Sequence, residues 1–481
     1  MDSVLTSLKR NSNLAAMLPC SCPSSTAPGT GKFVQPTGVG LALIAGIFIA
    51  CTVAARGEDP VQEEPLPSSA DYAAAQTDLV PPPPTPTSPL GTLDLRNLTI
   101  GGENASGENV ASAEPRRFHY SLRLTVRGVY DDNIFISHTN RVSDYYFAIE
   151  PMITVGFGDI EGRGGNYIRL DYLPSIILFV DHSNEDAISN LIHLEGQYRF
   201  SRLTLNLSQD VDILDGANLN STLDTTGLLA NVDVSTPTRL NLFVTRLRAN
   251  YDLTGKVFLL GEFDASIYDY PDFISSEIIS WGLYINYNWT PKVTVGIGGT
   301  AGYDFVDNPN PDQTFEQVNV RLRYEATGKL NFYASAGVEF RQFDGNRSER
   351  TSPTLELGAI YRPFDGTTIT LSAGTPILNS GFFPDQDFQA TNVVLHIQQR
   401  LLQRIYLGLV AGYENSDYFA TAAGVSAPRE DNYYFVEPSV DVLITRFLSA
   451  GVYYLHRRDD SSIAFFSFYD NQVGVRATVR F

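Results

Sequence analysis

Three observations predict that the sequence adopts an all-β fold, a closed antiparallel β-barrel that crosses a membrane. Segments of about ten to fourteen residues with alternating apolar and polar positions fill residues 118–481. Very short connections alternate with longer polar ones, which is typical of repeated hairpins. The last nine residues, Val473 to Phe481, alternate apolar residues with Gly, Arg and Thr and end on an aromatic ring.

Composition agrees with β-structure and excludes some functions. Of the 481 residues, 43% are hydrophobic and only 18% are charged, below the roughly 25% typical of soluble domains, while Tyr (25) and Phe (28) are abundant. The formal net charge is -20, from 54 acidic and 34 basic residues. So acidic a chain argues against nucleic acid as a partner.

The N-terminal part predicts targeting rather than fold. The only long apolar run, Gly38 to Ala55, follows a basic leader and precedes small residues, which favours a signal segment over residues 1–57. A single membrane anchor and lipid attachment at Cys51 are the alternatives. All three cysteines, Cys20, Cys22 and Cys51, precede residue 52, so a processed chain would be free of thiols and suited to the periplasm.

Residues 58–117 predict a disordered, Pro-rich periplasmic linker. They are rich in Pro, Ser, Thr, Glu and Ala and include the run Val80 to Pro89. Such a composition cannot bury a core and favours extended chain. The barrel is therefore expected over residues 118–481.

Strand alternation is clear in Leu203–Ile213, Val318–Tyr324 and Leu330–Phe340. In the segment that begins at Leu240, the apolar parity changes between Val244 and Leu247, which we interpret as a bulge. Counting such segments predicts about 18 strands, within a range of 16–20. A soluble sandwich, propeller or β-helix is the alternative, but soluble strands are usually shorter.

A closed barrel assigns the two faces of each strand to different solvents. In a bilayer every backbone N–H and C=O must be paired within the protein, so the apolar face meets lipid and the polar face meets an aqueous lumen. Predicted pore-lining residues are Arg123, Arg127, Asp210, Asp212, Arg321, Arg323, Glu325, Glu339, Arg341, Glu356, Arg362, Arg476 and Arg480. These side chains either select anionic solutes or pair as interior struts.

The strand ends predict two interfaces. Short connections are expected at the periplasmic side and longer loops outside, where acidic residues would meet lipopolysaccharide through divalent cations. The expected aromatic girdle at the outer strand ends is Tyr130, Tyr268, Tyr303 and Tyr413.

The segment Val129 to Phe135, "VYDDNIF", together with the linker, the hairpin repeat and the terminal Phe481, resembles the putative β-barrel porin 2 family over Phe118 to Phe481. The resemblance implies a Gram-negative outer-membrane barrel. The terminal Phe481 resembles the signal by which the barrel assembly machinery recognises such chains. Members often occur beside polysaccharide-export systems, so export components are implied partners.

We therefore expect a porin-like channel for small hydrophilic or anionic solutes, without enzymatic activity, cofactor or metal. A polysaccharide outlet is the first alternative, and a surface adhesin or structural barrel with a closed lumen is another. A loop-borne hydrolase is a further one. It requires Asp181 and His182 in one loop to meet Asp131 and Asp132 near another above the rim, where they would activate water. Their spacing does not match the Asp-x-His arrangement of outer-membrane aspartyl proteases, and solvated loop charges are the simpler interpretation.

Overall fold

A computed structural model describes residues 118–160, 165–216, 232–234, 236, 238–344 and 349–481. The predicted signal segment (1–57) and linker (58–117) lie outside the described residues. Among the described residues, no helix is long and apolar enough to cross a membrane.

The described chain is almost entirely β-strand, with one 3-10 turn at Ser183–Glu185. The strands are β1 (Phe118–Asp131), β2 (Asp144–Gly158), β3 (Tyr167–Phe179), β4 (Ala187–Arg199), β5 (Leu203–Leu214), β6 (Leu240–Asp252), β7 (Val257–Asp269), β8 (Ser276–Thr290), β9 (Val293–Val306), β10 (Gln313–Thr327), β11 (Leu330–Phe343), β12 (Glu349–Tyr361), β13 (Thr367–Gly374), β14 (Ile377–Asn379), β15 (Gln386–Leu401), β16 (Ile405–Ala420), β17 (Glu430–Leu443), β18 (Leu448–Ser461) and β19 (Phe468–Arg480).

The strands form one closed antiparallel sheet. Strands that follow each other in the chain are paired, apart from β13 and β14, which both pair with β15. Strand β1 pairs with β19, from Arg123 opposite Arg480 to Asp131 opposite Gln472. Strands β13 and β14 lie end to end along β15, so the barrel is 18 strands around. The predicted fold class and strand number are confirmed.

Strand β10 shows why this sequence adopts the two-faced sheet. Val318 and Val320 are 56% and 58% exposed on the outside, whereas the alternating Asn319 and Arg321 are 5% and 8% exposed inside the barrel. Because successive side chains of a strand point to opposite faces, the period of two in the sequence becomes an apolar exterior and a polar interior.

The bulge predicted in β6 is wrong. Its register with β5 and β7 is continuous, and Leu242, Val244, Arg246 and Arg248 are all buried on the inward face. The apparent change of parity arises because the inward face itself turns from apolar to polar along the strand. Leu242 and Val244 pack in an apolar cluster inside the barrel with residues of neighbouring strands.

We call the rim that holds Phe118 and Arg480 the near rim, and the opposite one the far rim. Near-rim connections include the two-residue links 291–292 and 328–329, and far-rim connections include 132–143 and 215–239. The expected difference between short near-rim and long far-rim connections does not hold everywhere, because the near-rim connection 159–166 is longer than the far-rim connection 307–312.

Candidate functional site: the barrel lumen

The structure places twelve of the predicted pore-lining residues on strands, on the inward face. Buried among them are Asp210, Asp212, Arg321, Glu339 and Arg341. Half-buried are Arg123, Arg127, Arg323, Glu325, Glu356, Arg476 and Arg480. Arg362 is a correction: β12 ends at Tyr361, and Arg362 is exposed in the near-rim connection, where its backbone N–H donates to Lys329 O at 2.7 Å.

Arg321 is part of an ion-pair network on the lumen wall. Its guanidinium donates to both carboxylate oxygens of Glu262, at 2.8 and 2.9 Å, and lies 3.3 Å from the ring centroid of Tyr284. The ion pair joins β10 to β7 and passes over β9 and β8. The Tyr284 ring under the guanidinium needs a glycine beside it, because a Cβ on Gly298 would lie 2.5 Å from Tyr284 Cδ1. Arg321 is therefore a strut that braces the wall.

A second network ties the wall to a segment inside the lumen. Arg341 Nε donates to Glu339 at 2.7 Å, and Arg341 Nη1 donates to Asp304 at 3.2 Å and to Gln313 Oε1 at 2.8 Å. Asn379 then donates to Asp304 at 2.7 Å and accepts from Gln313 at 2.8 Å. Because Asn379 belongs to β14, these bonds hold β14 against β9 and β10.

We call residues 377–390, which include β14 and the start of β15, the inward hairpin. Leu378 and Phe388 pack with Tyr268 of β7 and Ile278 of β8, several strands away around the wall. The backbone N–H of Ile274 donates to Gly381 O at 2.9 Å. The hairpin therefore leaves the wall and crosses the lumen near the far rim, which the sequence analysis did not predict.

Residues 232–234 form the second inward segment. Val232 packs against Tyr433, Phe435 and Phe468 on the inner wall and is 2% exposed. It belongs to the far-rim connection 215–239, of which only these residues, 215–216, 236 and 238–239 are described. An apolar side chain of a long connection is thus buried inside the barrel.

Arg429 holds this second segment in place. Its guanidinium donates to Asp233 O at 2.8 Å and to Val232 O at 2.9 Å, and it pairs with Asp431 at 2.6 Å. The ring of Phe466 lies 3.6 Å from its central carbon. We call this arrangement the Arg429 latch.

The Asp233 carboxylate completes the latch. It accepts from Ser380 Oγ at 2.9 Å, from Gly381 N at 2.6 Å and from the Tyr418 hydroxyl at 2.9 Å, so it joins both inward segments. Burial raises the pKa of the Asp233 carboxyl above its ordinary value, although Arg429 and these hydrogen bonds oppose the shift. Burial lowers the pKa of Arg429, but Tyr418, Asp233 and Asp431 outweigh it, so the net shift is upward.

The lumen consequently has two different halves. Towards the near rim, side chains such as Arg123, Asn206 and Arg323 are only partly buried. Towards the far rim, Asp304 and Asp431 are fully buried by the inward segments. The barrel therefore has a polar near half, which we call the vestibule, and a packed far half. The vestibule wall includes buried side chains as well, such as Arg169 and Asp441.

The outer strand ends carry aromatic side chains. Tyr130, Tyr303 and Tyr413 lie on the outside, 36%, 49% and 43% exposed. Tyr268 is a correction to the predicted girdle: it packs inside against Leu242 and the inward hairpin. Three exposed rings that were not predicted, Tyr145, Trp281 and Phe305, lie beside Tyr130 and Tyr303. At the near rim the terminal Phe481 ring is 78% exposed.

The residues of the predicted loop-borne hydrolase have structural partners. Asp144 at the start of β2 accepts from the backbone N–H groups of Asp181 and His182, and His182 Nδ1 lies 2.9 Å from its carboxylate. Asp131 accepts from Asn133 N at 2.7 Å, and Asp132 accepts from Asn471 N at 2.8 Å. These contacts fix loops at the far rim.

The comparisons with known proteins agree with this architecture. Residues 359–481 match the model of the family described as "Putative beta-barrel porin 2". The resemblance to that family is confirmed over this part of the chain, from the end of β12 to the C-terminus. No curated protein matches the sequence.

The structural comparison matches several crystal structures, each with a TM-score below 0.5. OccAB3 of Acinetobacter baumannii is 10% identical, with 75% of this chain and 99% of that chain covered and a TM-score of 0.38. OpdK of Pseudomonas aeruginosa is 12% identical, with 76% and 99% covered and a TM-score of 0.39. OccK2 (OpdF) of Pseudomonas aeruginosa, in complex with glucuronate, is 10% identical, with 76% and 98% covered and a TM-score of 0.40.

Proposed function

We propose that this chain is a porin-like channel in the outer membrane of a Gram-negative bacterium, which lets small hydrophilic solutes pass and prefers anionic ones. The observation that carries the proposal is a closed tube that is apolar outside and polar on its inward face. Polar walls and diameter are sufficient to select solutes, and no chemistry on the solute is required.

The near rim is the periplasmic one in this proposal. Phe481 ends the last strand there and would present its ring to the barrel assembly machinery. The N-terminal linker would then extend into the periplasm. The longer far-rim connections would face the medium and lipopolysaccharide.

The preference for anions rests on the β1/β19 seam. Arg123 lies directly opposite Arg480, and Arg127 lies directly opposite Arg476, all on the inward face. These four guanidinium groups give the inward face of the seam a positive potential, although each of them also has a contact within the protein. Glu150 accepts from Arg127, and Asp441 accepts from Arg476 at 2.7 Å. The Arg123–Arg480 pair lies closer to the near rim, where a carboxylated solute entering the vestibule would meet it.

The inward segments occupy part of the far half of the lumen in this conformation, so we infer that they move when a solute passes. A glycan chain would need both the inward hairpin and residues 232–234 to leave the lumen. Nothing in the described part of the chain favours such an outlet over a channel for small solutes.

Conductance and ion selectivity in planar bilayers test the proposal. We expect the wild type to prefer anions, and we expect Arg123→Ser with Arg480→Ser to reduce that preference because the vestibule loses two positive charges. Lys292→Ser, in an exposed near-rim link, is the matched control and should leave selectivity unchanged. Cation preference in the wild type would contradict the anion assignment. Absence of conductance even after the Arg429 latch is released would reject the channel.

A further inference from the structure

Strand β12 lacks a strand partner along half of one edge. It pairs with β13 only from Glu356 to Tyr361, opposite Gly374 to Ile369. Beyond Gly374 the chain turns inward into the hairpin. Among the described residues, no backbone group pairs with the other side of Glu349–Leu355, although β11 pairs with β12 along nearly its whole length.

Side chains alone close this part of the wall. The Leu355 N–H donates to Thr375 Oγ1 at 2.9 Å, and Gln389 Nε2 donates to Pro353 O at 3.3 Å. Pro353 itself has no N–H, which suits it to a free strand edge. We call this stretch, Thr351–Leu355 facing Thr375 and Gln389, the side-chain seam.

The side-chain seam lies at the outer margin of the apolar band. Pro353 is paired with Val338, and Thr351 is paired with Phe340, on the neighbouring strand β11. Val338 and Phe340 are 38% and 47% exposed on the outside, and Leu355 is 43% exposed. The lipid-facing lip of the seam is therefore apolar.

The lumen-facing lip is polar and basic. Ser352 is 3% exposed inside the barrel, and Thr354 donates to Asn319 at 2.8 Å on the inner wall. Arg350 donates through Nε to Ser352 at 3.0 Å and stacks on Phe419 at 3.6 Å. One opening thus has an apolar outer lip and a cationic inner lip.

We propose that the side-chain seam is a lateral gate for a single-chain amphiphile with an anionic headgroup, which passes between the lumen and the outer half of the bilayer. The headgroup would meet Arg350, Ser352 and Thr354, while the chain would lie against Val338, Phe340 and Leu355. Neither a wholly apolar nor a wholly hydrophilic molecule fits both lips. Opening breaks side-chain contacts but no backbone ladder, unlike the separation of any other pair of wall strands in the described chain.

A cross-link across the seam tests the gate. The pair Pro353→Cys and Gln389→Cys is introduced into the full chain with Cys20, Cys22 and Cys51 replaced by Ser, and is joined by a short, cleavable bifunctional thiol reagent. The control pair, Val452→Cys and Val475→Cys, joins two directly paired lipid-facing residues of β18 and β19, away from the seam.

The probe is a fatty acid carrying a photoreactive diazirine beside its carboxylate, so that the headgroup end reports its position. It is added to liposomes that contain the protein, and labelled residues are located by mass spectrometry. We expect labelling of the lumen-facing Ser352 and Thr354, its loss on cross-linking the seam, its return on cleaving the reagent, and no change in the control pair. Arg350→Ala should weaken this labelling by about tenfold, since a charge-assisted contact with the headgroup is lost.

Labelling confined to outward-facing residues, or labelling of Ser352 that the cross-link does not reduce, would overturn the gate. Conductance of a small hydrophilic anion is measured on the same samples. The conductance before cross-linking tests the channel, because the cross-link holds Gln389 of the inward hairpin and would also restrain a segment that moves during transport. Failure of the gate and failure of the proposed channel would thus be told apart.

Discussion

Replacing Arg429 by Ala should release residues 232–234 from the lumen. The guanidinium donates two hydrogen bonds to the backbone of this segment, at 2.8 Å to Asp233 O and at 2.9 Å to Val232 O. A hydrogen bond from a charged donor contributes about 1.5–3 kcal/mol, so the docked state should lose about 3 kcal/mol or more. This change lowers the ratio of docked to undocked segment by roughly a hundredfold.

Single-channel recording measures this shift directly. We expect Arg429→Ala to open more often, or to a larger conductance, than the wild type. Arg446→Ala, which removes an exposed arginine from the near-rim connection after β17, should behave as the wild type. Arg429→Lys keeps a charge but not the planar fork of donors, so it should fall between the two. Identical records for Arg429→Ala and the wild type, with both proteins folded by heat-modifiable gel mobility, would refute the latch.

Three further predictions concern Gly298, the ion pair of Glu262 with Arg321, and the Asp233 carboxylate. Gly298→Ala should destabilise the barrel by about 1–3 kcal/mol in urea titrations, because the added Cβ would lie 2.2 Å from Leu283 O, whereas Gly255→Ala, with open space around it, should have little effect. Glu262→Gln leaves the buried Arg321 without its charge partner and should cost about 3–5 kcal/mol, measured in the same titration. Because burial raises the pKa of Asp233 in the docked state, acidification through that raised pKa to the ordinary range of a carboxyl group should favour closure, and a rise in pH should weaken it. Asp233→Asn should remove this pH dependence of the open fraction.

The wall of the barrel was predictable because lipid and water impose a strict rule on every strand. β10 illustrates it: the alternation of Val318, Asn319, Val320 and Arg321 translates directly into outward and inward faces. The same rule yields the strand number, since each crossing produces one alternating segment.

The contents of the lumen were not predictable in the same way. Leu242 and Val244 face inward because other residues pack on them there. A prediction that expects apolar residues only towards lipid interprets them as a change of parity. Tyr268 was misplaced for the same reason. The inward hairpin depends on contacts between residues far apart in the chain, such as Asn379 with Asp304, which a local pattern does not contain.

One signal for the hairpin was nevertheless present. Pro353 and Pro376 are prolines within or beside strand segments, and proline in a sheet is confined to free edges and breaks. Both lie where the β12–β13 pairing ends, but Pro151, Pro174 and Pro438 lie inside wall strands that are paired on both sides, so proline alone does not identify the edge. Arg429 has no comparable signal, because a lone arginine before a strand usually remains solvated.

Site-directed spin labelling along β10 tests the central claim most directly, using single cysteines at residues 318–323 in a chain whose native cysteines are replaced. We predict that labels at Val318, Val320 and Leu322 are accessible to oxygen dissolved in the lipid, and that labels at Asn319, Arg321 and Arg323 are not. A reversed alternation, or equal accessibility at neighbouring positions, would contradict a barrel that is apolar outside and polar within.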